Sequence, residues 1–326
     1  MAKHAARRSA CFAIFFGLLP LAMLGGCVAR GPVMSAKATE LERTPYFPQR
    51  KFQCGPAAMA TVLGASGAAT TADALTRALY IPARRGSLQV EMLATPRDFG
   101  RLALPLPRNP EAIVAELDAG RPVLVLHNYG LPFWPRWHYA VVIGYDPAAD
   151  VFVLRSGTSP RQRMRTRRFM VAWHYGGRWS MVVLRPGETP ALDDAKTFFE
   201  AAAAFEKNAT PQDSRATFDA AVRRWPQEPI AYLGRGTAEY RLGNLPAAAR
   251  DYAAALALDA TQAAARNNLA QTLVDLRCPR RAFGWLAGVD IARSAPPLRE
   301  ALDHTLRSAS AAAALADDGP ACQSFP

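Results

Sequence analysis

The segment "AYLGRGTAEYRLGNLPAAARDYAAALALD", Ala231 to Asp259, recurs at a fixed interval, and nothing else in the chain constrains its fold as tightly. Adding thirty-four to its positions brings "ARNNLAQTLVDLRCPRRAF" (Ala265 to Phe283) into register, with Leu269, Ala270 and Ala282 in corresponding slots. Subtracting thirty-four places Phe218, Ala221 and Pro226 likewise. The slots alternate large with small: Tyr232 and Tyr252 against Gly236, Ala248 and Ala255. Small residues at fixed places let paired helices approach closely, and stacked neighbours bury the face that no single repeat can cover. About three repeats are therefore expected over residues 193–295, forming an all-α domain. "PLREALDHTLRSASAAAAL" (Pro297 to Leu315) is expected to cap it, within a final segment 296–326.

At those slots the segment resembles the tetratricopeptide (TPR) pattern, which implies a surface that recruits a protein partner. The half before it has a different grammar, separated by the short linker 187–192. Residues 44–186 read as helices first and antiparallel strands second, the order of an α+β domain. "GPAAMATVLGAS" and "TADALTRALY" are helical runs, the second with Thr71 as N-cap. "NPEAIVAELDAG" has Asn109 as N-cap, Pro110 at the first helical position and Gly120 as terminator. Strands are expected at "PVLVLHNY", "HYAVVIGYD", "VFVLRSG" and "WSMVVLR".

The N-terminus is a separate case. Lys3, Arg7 and Arg8 precede the apolar run Cys11 to Leu24, which is too short for a comfortable spanning helix and reads as a signal peptide over residues 1–26. Leu24-Gly25-Gly26-Cys27 resembles a bacterial lipobox. The resemblance implies lipidation of Cys27, a membrane-anchored lipoprotein, and, with Val28 next, the outer membrane facing the periplasm. Ordinary secretion with cleavage nearby is the alternative. Residues 27–43 read as a polar, featureless tether. Removing residues 1–26 takes three positive charges from the formal +12 and leaves +9. That basic surface suits anionic head groups or an acidic substrate; no nucleic-acid motif accompanies it.

Of five cysteines, Cys11 leaves with the signal and Cys27 carries lipid, while Cys278 and Cys322 can pair in an oxidising compartment. Cys54 is left over, and an unpaired thiol in an exported protein is a candidate nucleophile. In "YFPQRKFQCGPAAMATVL" it stands before Gly55 and Pro56 at the start of a helix, where the N-terminal dipole is expected to lower its pKa. Gln49 is placed to offer a side-chain N–H to an oxyanion, beside the Cys54 backbone amide. A base must complete the site. His4 is cleaved off and His304 sits in the helical half, leaving His127, His138 and His174. His138 opens the strand "HYAVVIGYD" after the aromatic loop "GLPFWPRW", with its ring between aromatic neighbours, and is the expected base. His127 reads as structural and His174 as a turn residue.

At "QRKFQCGPAA" and "HYAVVIGYD" the region resembles the bacteriocin-processing cysteine peptidases, papain-like enzymes that cut after double-glycine leaders. The resemblance covers residues 44–186 and implies a thiol peptidase acting on a peptide or protein, with Gln49, Cys54 and His138 in the site and no cofactor. It departs from the family twice. The glutamine lies five positions before the cysteine, where six is common, so Gln53 is a competitor. Where the family has an orienting carboxylate after the strand "VFVL", this chain reads "RSGTSP". Ser156, or Asn128 from the neighbouring strand, is left to hold the imidazole, and Asp146 reads as turn chemistry. A catalytically weak or inactive peptide-binding scaffold is therefore the rival reading. Without a G-x-x-x-x-G-K-[ST] loop, ATP is not implied. Finally, Arg161, Arg163, Arg165 and Arg167 share one face at strand spacing, either as an anionic docking stripe or as a charged edge strand.

Overall fold

A computed structural model describes residues 37–287, 289, 295–315 and 317–325. The expected signal peptide, Cys11 and Cys27 lie outside them. Six strands form the path β2-β7-β3-β4-β5-β6 of a wholly antiparallel sheet: β2 (Leu102–Pro105), β3 (Val123–Asn128), β4 (Trp137–Asp146), β5 (Val151–Ser156), β6 (Ser159–Arg165) and β7 (Ser180–Leu184). A seventh, β1 (Thr39–Glu40), pairs with β4. Strand periodicity decides which side chains go where. Leu124, Leu126, Tyr139, Val141 and Ile143 face α1 (Cys54–Ala65), whereas Val123, Val125, Ala140, Val142, Phe152 and Leu154 face α4 (Pro110–Asp118) and α5 (Thr166–Tyr175).

Local chemistry fixes the helix starts. Thr71 caps α2 (Ala72–Leu79) by accepting from Ala74 N, and Asn109 caps α4 by accepting from Ala112 N at 2.9 Å. α3 (Gln89–Ala94) follows α2 and contributes the buried Met92 to the α1 side of the core.

Three expectations are corrected here. Within the expected tether, residues 39–41 are bound to the sheet: Thr39 and Glu40 pair with Tyr145 and Gly144, and Leu41 N donates to Ile143 O. Gly144 permits this, because a Cβ there would lie 2.6 Å from Thr39 O. The arginine stripe is broken, because β6 ends at Arg165 and Arg167 lies on α5. Arg161 and Arg163 are taken by Glu40 and Asp146, at 2.6 and 3.5 Å. His174 is in the last turn of α5, not in a turn after it.

The helical half consists of α6 (Ala195–Glu206), α7 (Pro211–Arg224), α8 (Pro229–Arg241), α9 (Leu245–Leu258), α10 (Ala263–Asp275), α11 (Pro279–Leu286) and α12 (Pro296–Leu315). Starts at Ala195, Pro229 and Ala263, and at Pro211, Leu245 and Pro279, follow one another at the thirty-four-residue interval of the sequence. The arrangement is compatible with a helical repeat. Its small residues receive rings: a Cβ on Gly234 would meet Phe218 at 2.2 Å, and one on Gly236 would meet Tyr252 at 2.8 Å. Cys278 and Cys322 form a disulfide. The two halves share a core, in which Phe198, Phe199, Phe205 and Trp225 pack on Leu102, Leu104, Val182 and Leu184 of the sheet. The expected linker is held as well, since Ala191 N donates to the buried Glu116 of α4 at 2.8 Å.

Candidate functional site

Cys54 is the first residue of α1, half-buried and the one free cysteine among the described residues. The turn delivering it passes through Phe52 at φ 65°, left-handed backbone that a bulky residue rarely adopts. Gly55 is required by its neighbour, because Ser87 Oγ occupies the place of a Cβ, 2.2 Å away. The backbone N–H groups of Tyr139, Gly55 and Cys54 itself are directed at the sulfur. The sulfur therefore lies beside β4, at the residue following His138.

Cys54, Gln49, Tyr46, Tyr139, Ser156 and Gly157 line a crevice of about 10 Å³. Such a space holds little more than one water-sized group, the scale of an oxyanion seat. Gln49 is held there by its backbone N–H donating to Gly157 O at 3.2 Å, and Tyr46 Oη donates to the same carbonyl at 3.0 Å. Gln53 is the N-cap residue of α1, makes no capping bond and does not line the crevice.

The imidazole of His138 is tied through Nε2 to Ser156 Oγ at 2.9 Å. Its ring centroid lies 5.5 Å from that of Tyr129. His127 is paired directly opposite His138 across β3 and β4, is fully buried, and has Nδ1 2.9 Å from Tyr129 Oη. Ser156 also hydrogen-bonds the Tyr129 hydroxyl. The four side chains form one chain, His138–Ser156–Tyr129–His127. One assignment of protons suits it throughout: His138 Nε2–H donates to Ser156, Ser156 to Tyr129, and Tyr129 to His127 Nδ1. In this assignment Nδ1 of His138 is left unprotonated and available as a base. Asn128 is occupied elsewhere, since its Oδ1 accepts from Gly130 N and Arg136 N at 2.8 Å each and shapes the β3–β4 loop. Asp146 accepts from Ala149 N in the turn after β4.

Electrostatics correct one expectation. Burial pushes the Cys54 thiol above its ordinary range and outweighs the backbone N–H groups that favour thiolate. Burial also lowers His138 to about 4, and lowers His127 to about 3 with help from His138 alongside. At neutral pH Cys54 therefore rests as thiol and His138 as neutral imidazole, and Cys54 is not the activated thiolate that the helix N-terminus alone would give. Tyr129 and His127 were missed as partners of the site, because only strand register brings them to His138.

Two exposed surfaces flank the site. The β3–β4 loop presents Leu131, Phe133, Trp134 and Trp137, with Phe133 81% and Trp134 75% exposed. On the α5 side a cleft of about 500 Å³ is lined by Tyr129, Arg165, Arg167, Arg168, Val171 and Tyr175, among others. Among the described residues no group of three or more His, Cys, Asp or Glu could hold a metal, and no helix is long and apolar enough to cross a membrane.

Residues 41–181 match the model of the Peptidase_C39 like family. Two solved structures are similar to this chain. One, described as a candidate C39-like peptidase from Bacillus anthracis, is 15% identical over 46% of this chain and 98% of its own, with a TM-score of 0.39. The other, a double glycine motif protease from an AMS/PCAT transporter in complex with the leader peptide, is 17% identical over 43% of this chain and 90% of its own, with a TM-score of 0.34. No curated protein matches the chain.

Proposed function

We propose that the protein is a cysteine peptidase in which Cys54, His138, Gln49 and Ser156 form the catalytic group. The observation that carries this reading is the arrangement of Cys54 and Gln49 around one crevice with Ser156, which holds His138 at 2.9 Å. Because thiol and imidazole rest neutral, His138 Nδ1 takes the thiol proton as sulfur bonds to the peptide carbonyl carbon. The oxyanion is met by the Cys54 N–H and the Gln49 side-chain amide. The tetrahedral species then collapses, the C–N bond breaks, and His138 gives its proton to the leaving amine. Water, deprotonated by His138, attacks the thioester and releases the acid and the thiol. Ser156, backed by Tyr129 and His127, orients the imidazole in place of a carboxylate, but as a neutral group it stabilises imidazolium less.

The helical half serves, in this reading, as a TPR array that recruits a partner or substrate, and Cys27 as the lipid anchor of an outer-membrane protein facing the periplasm. The absent carboxylate favours one rival, a scaffold that grips peptides without cutting them. Incubating a proteome-derived peptide library with the full chain and with Cys54→Ala separates the two by mass spectrometry. New termini that require Cys54 are expected; identical peptide sets in both incubations would leave only the scaffold.

A further inference from the structure

The arginines after β5 divide into two groups. Arg161 and Arg163 are neutralised by Glu40 and Asp146, whereas Arg165, Arg167 and Arg168 have no carboxylate within ion-pair distance among the described residues. These three stand at the N-cap and first turn of α5, a ten-residue helix with no acidic residue in that turn. Positive charge there opposes the helix dipole, which favours anions at that end. The three also line the 500 Å³ cleft, whose walls contain no acidic side chain. Tyr129 forms part of the same wall, close enough to Arg168 to be influenced by its charge, and its hydroxyl reaches Ser156 and so His138.

We infer that this cleft is a carboxylate-binding subsite for the peptide substrate, on the leaving-group side of the scissile bond. The assignment of side rests on the peptidase reading above. His138 hands its proton to the leaving amine, and Tyr129, a wall of the cleft, has its ring 5.5 Å from that of His138, so the cleft is assigned to residues following the cut. A glutamate or aspartate side chain, or the peptide's own C-terminus, supplies the carboxylate to which three unpaired guanidinium groups donate charge-assisted hydrogen bonds. Val171 and Tyr175 offer an apolar wall to the rest of the segment.

The test uses the full chain with Cys54→Ala, so that binding is measured without turnover. Three dansylated peptides of one sequence serve as probes: an amidated form with two glutamates, its amidated glutamine twin, and that twin with a free C-terminus. At least one carboxylate-bearing peptide is expected to bind about tenfold or more tightly than the amidated twin at moderate salt, and which one does so identifies the source of the charge. The triple variant R165Q/R167Q/R168Q should erase the difference while its thermal unfolding stays unchanged. R223Q/R224Q, removing exposed charge from α7, should keep it. Equal binding of all three peptides, equal loss in both variants, or arginine-dependent binding only to phosphatidylglycerol vesicles would overturn the subsite. Failure of the peptidase reading would appear separately, as identical peptide sets from wild type and Cys54→Ala in the library digest.

Discussion

Two influences oppose each other at Cys54, where backbone N–H groups favour thiolate and burial favours thiol, and burial is the larger. Alkylation by iodoacetamide should therefore rise with pH and inflect above the range of an ordinary thiol; a plateau across pH 5–8 would reveal a preformed ion pair. Ser156→Ala should lower kcat/KM by about ten- to a hundredfold, since orientation and tautomer control are lost while the base remains. Gln49→Ala should cost about a hundredfold or more in kcat by removing an oxyanion donor, measured on any peptide the library digest identifies. The meeting of Cys54 and Gln49 at one crevice was legible because both sit in one short local motif. Tyr129 was not, because its relation to Ser156 depends on the pairing of β3 with β4 and of β4 with β5. The ionisation state was misjudged for a related reason: local sequence reveals the helix N-terminus but not how much of the fold closes over the sulfur.

Among elements, α1 depends on the loop above it. Gly55→Ala would drive a Cβ into Ser87 Oγ, so the variant should lose stability by about 1–3 kcal/mol and displace Cys54, seen as a fall in both the unfolding midpoint and peptide cleavage. In the helical half, Gly234→Leu meets the Phe218 ring and should cost a similar amount, read by denaturant unfolding. The caps of α2 and α4 were legible from Thr71 and Asn109, and the strands β3, β4, β5 and β7 from apolar runs. β1 and β2 are too short to show a pattern of their own. α5 was hidden because its arginines continue the alternation of β6, and only the packing of Phe169 and Trp173 against the sheet turns that segment helical.

For the molecule as a whole, the shared core of α6, α7 and the sheet makes the two halves one folding problem. His127 and His138 have their pKa values lowered from the ordinary 6.5 to about 3 and about 4, so between those values the unfolded chain binds more protons. Their contribution to stability is therefore complete above pH 6.5 and falls as the pH drops toward 4, which urea unfolding across that window should register. Reducing the Cys278–Cys322 bridge, 44 residues apart in sequence, should remove up to roughly 4 kcal/mol from the helical end. The thirty-four-residue period revealed that end, but not its contact with β2, because the apolar face of α6 carries no mark of what covers it. The most direct measurement of the catalytic group is the labelling rate of a peptidyl chloromethyl ketone, which must form a hemithioketal at the thiol before alkylating it. Folded wild-type chain should take one label, on Cys54, at least about tenfold faster than His138→Ala. Equal rates in the two, matching the unfolded thiol, would contradict a Cys54–His138 peptidase.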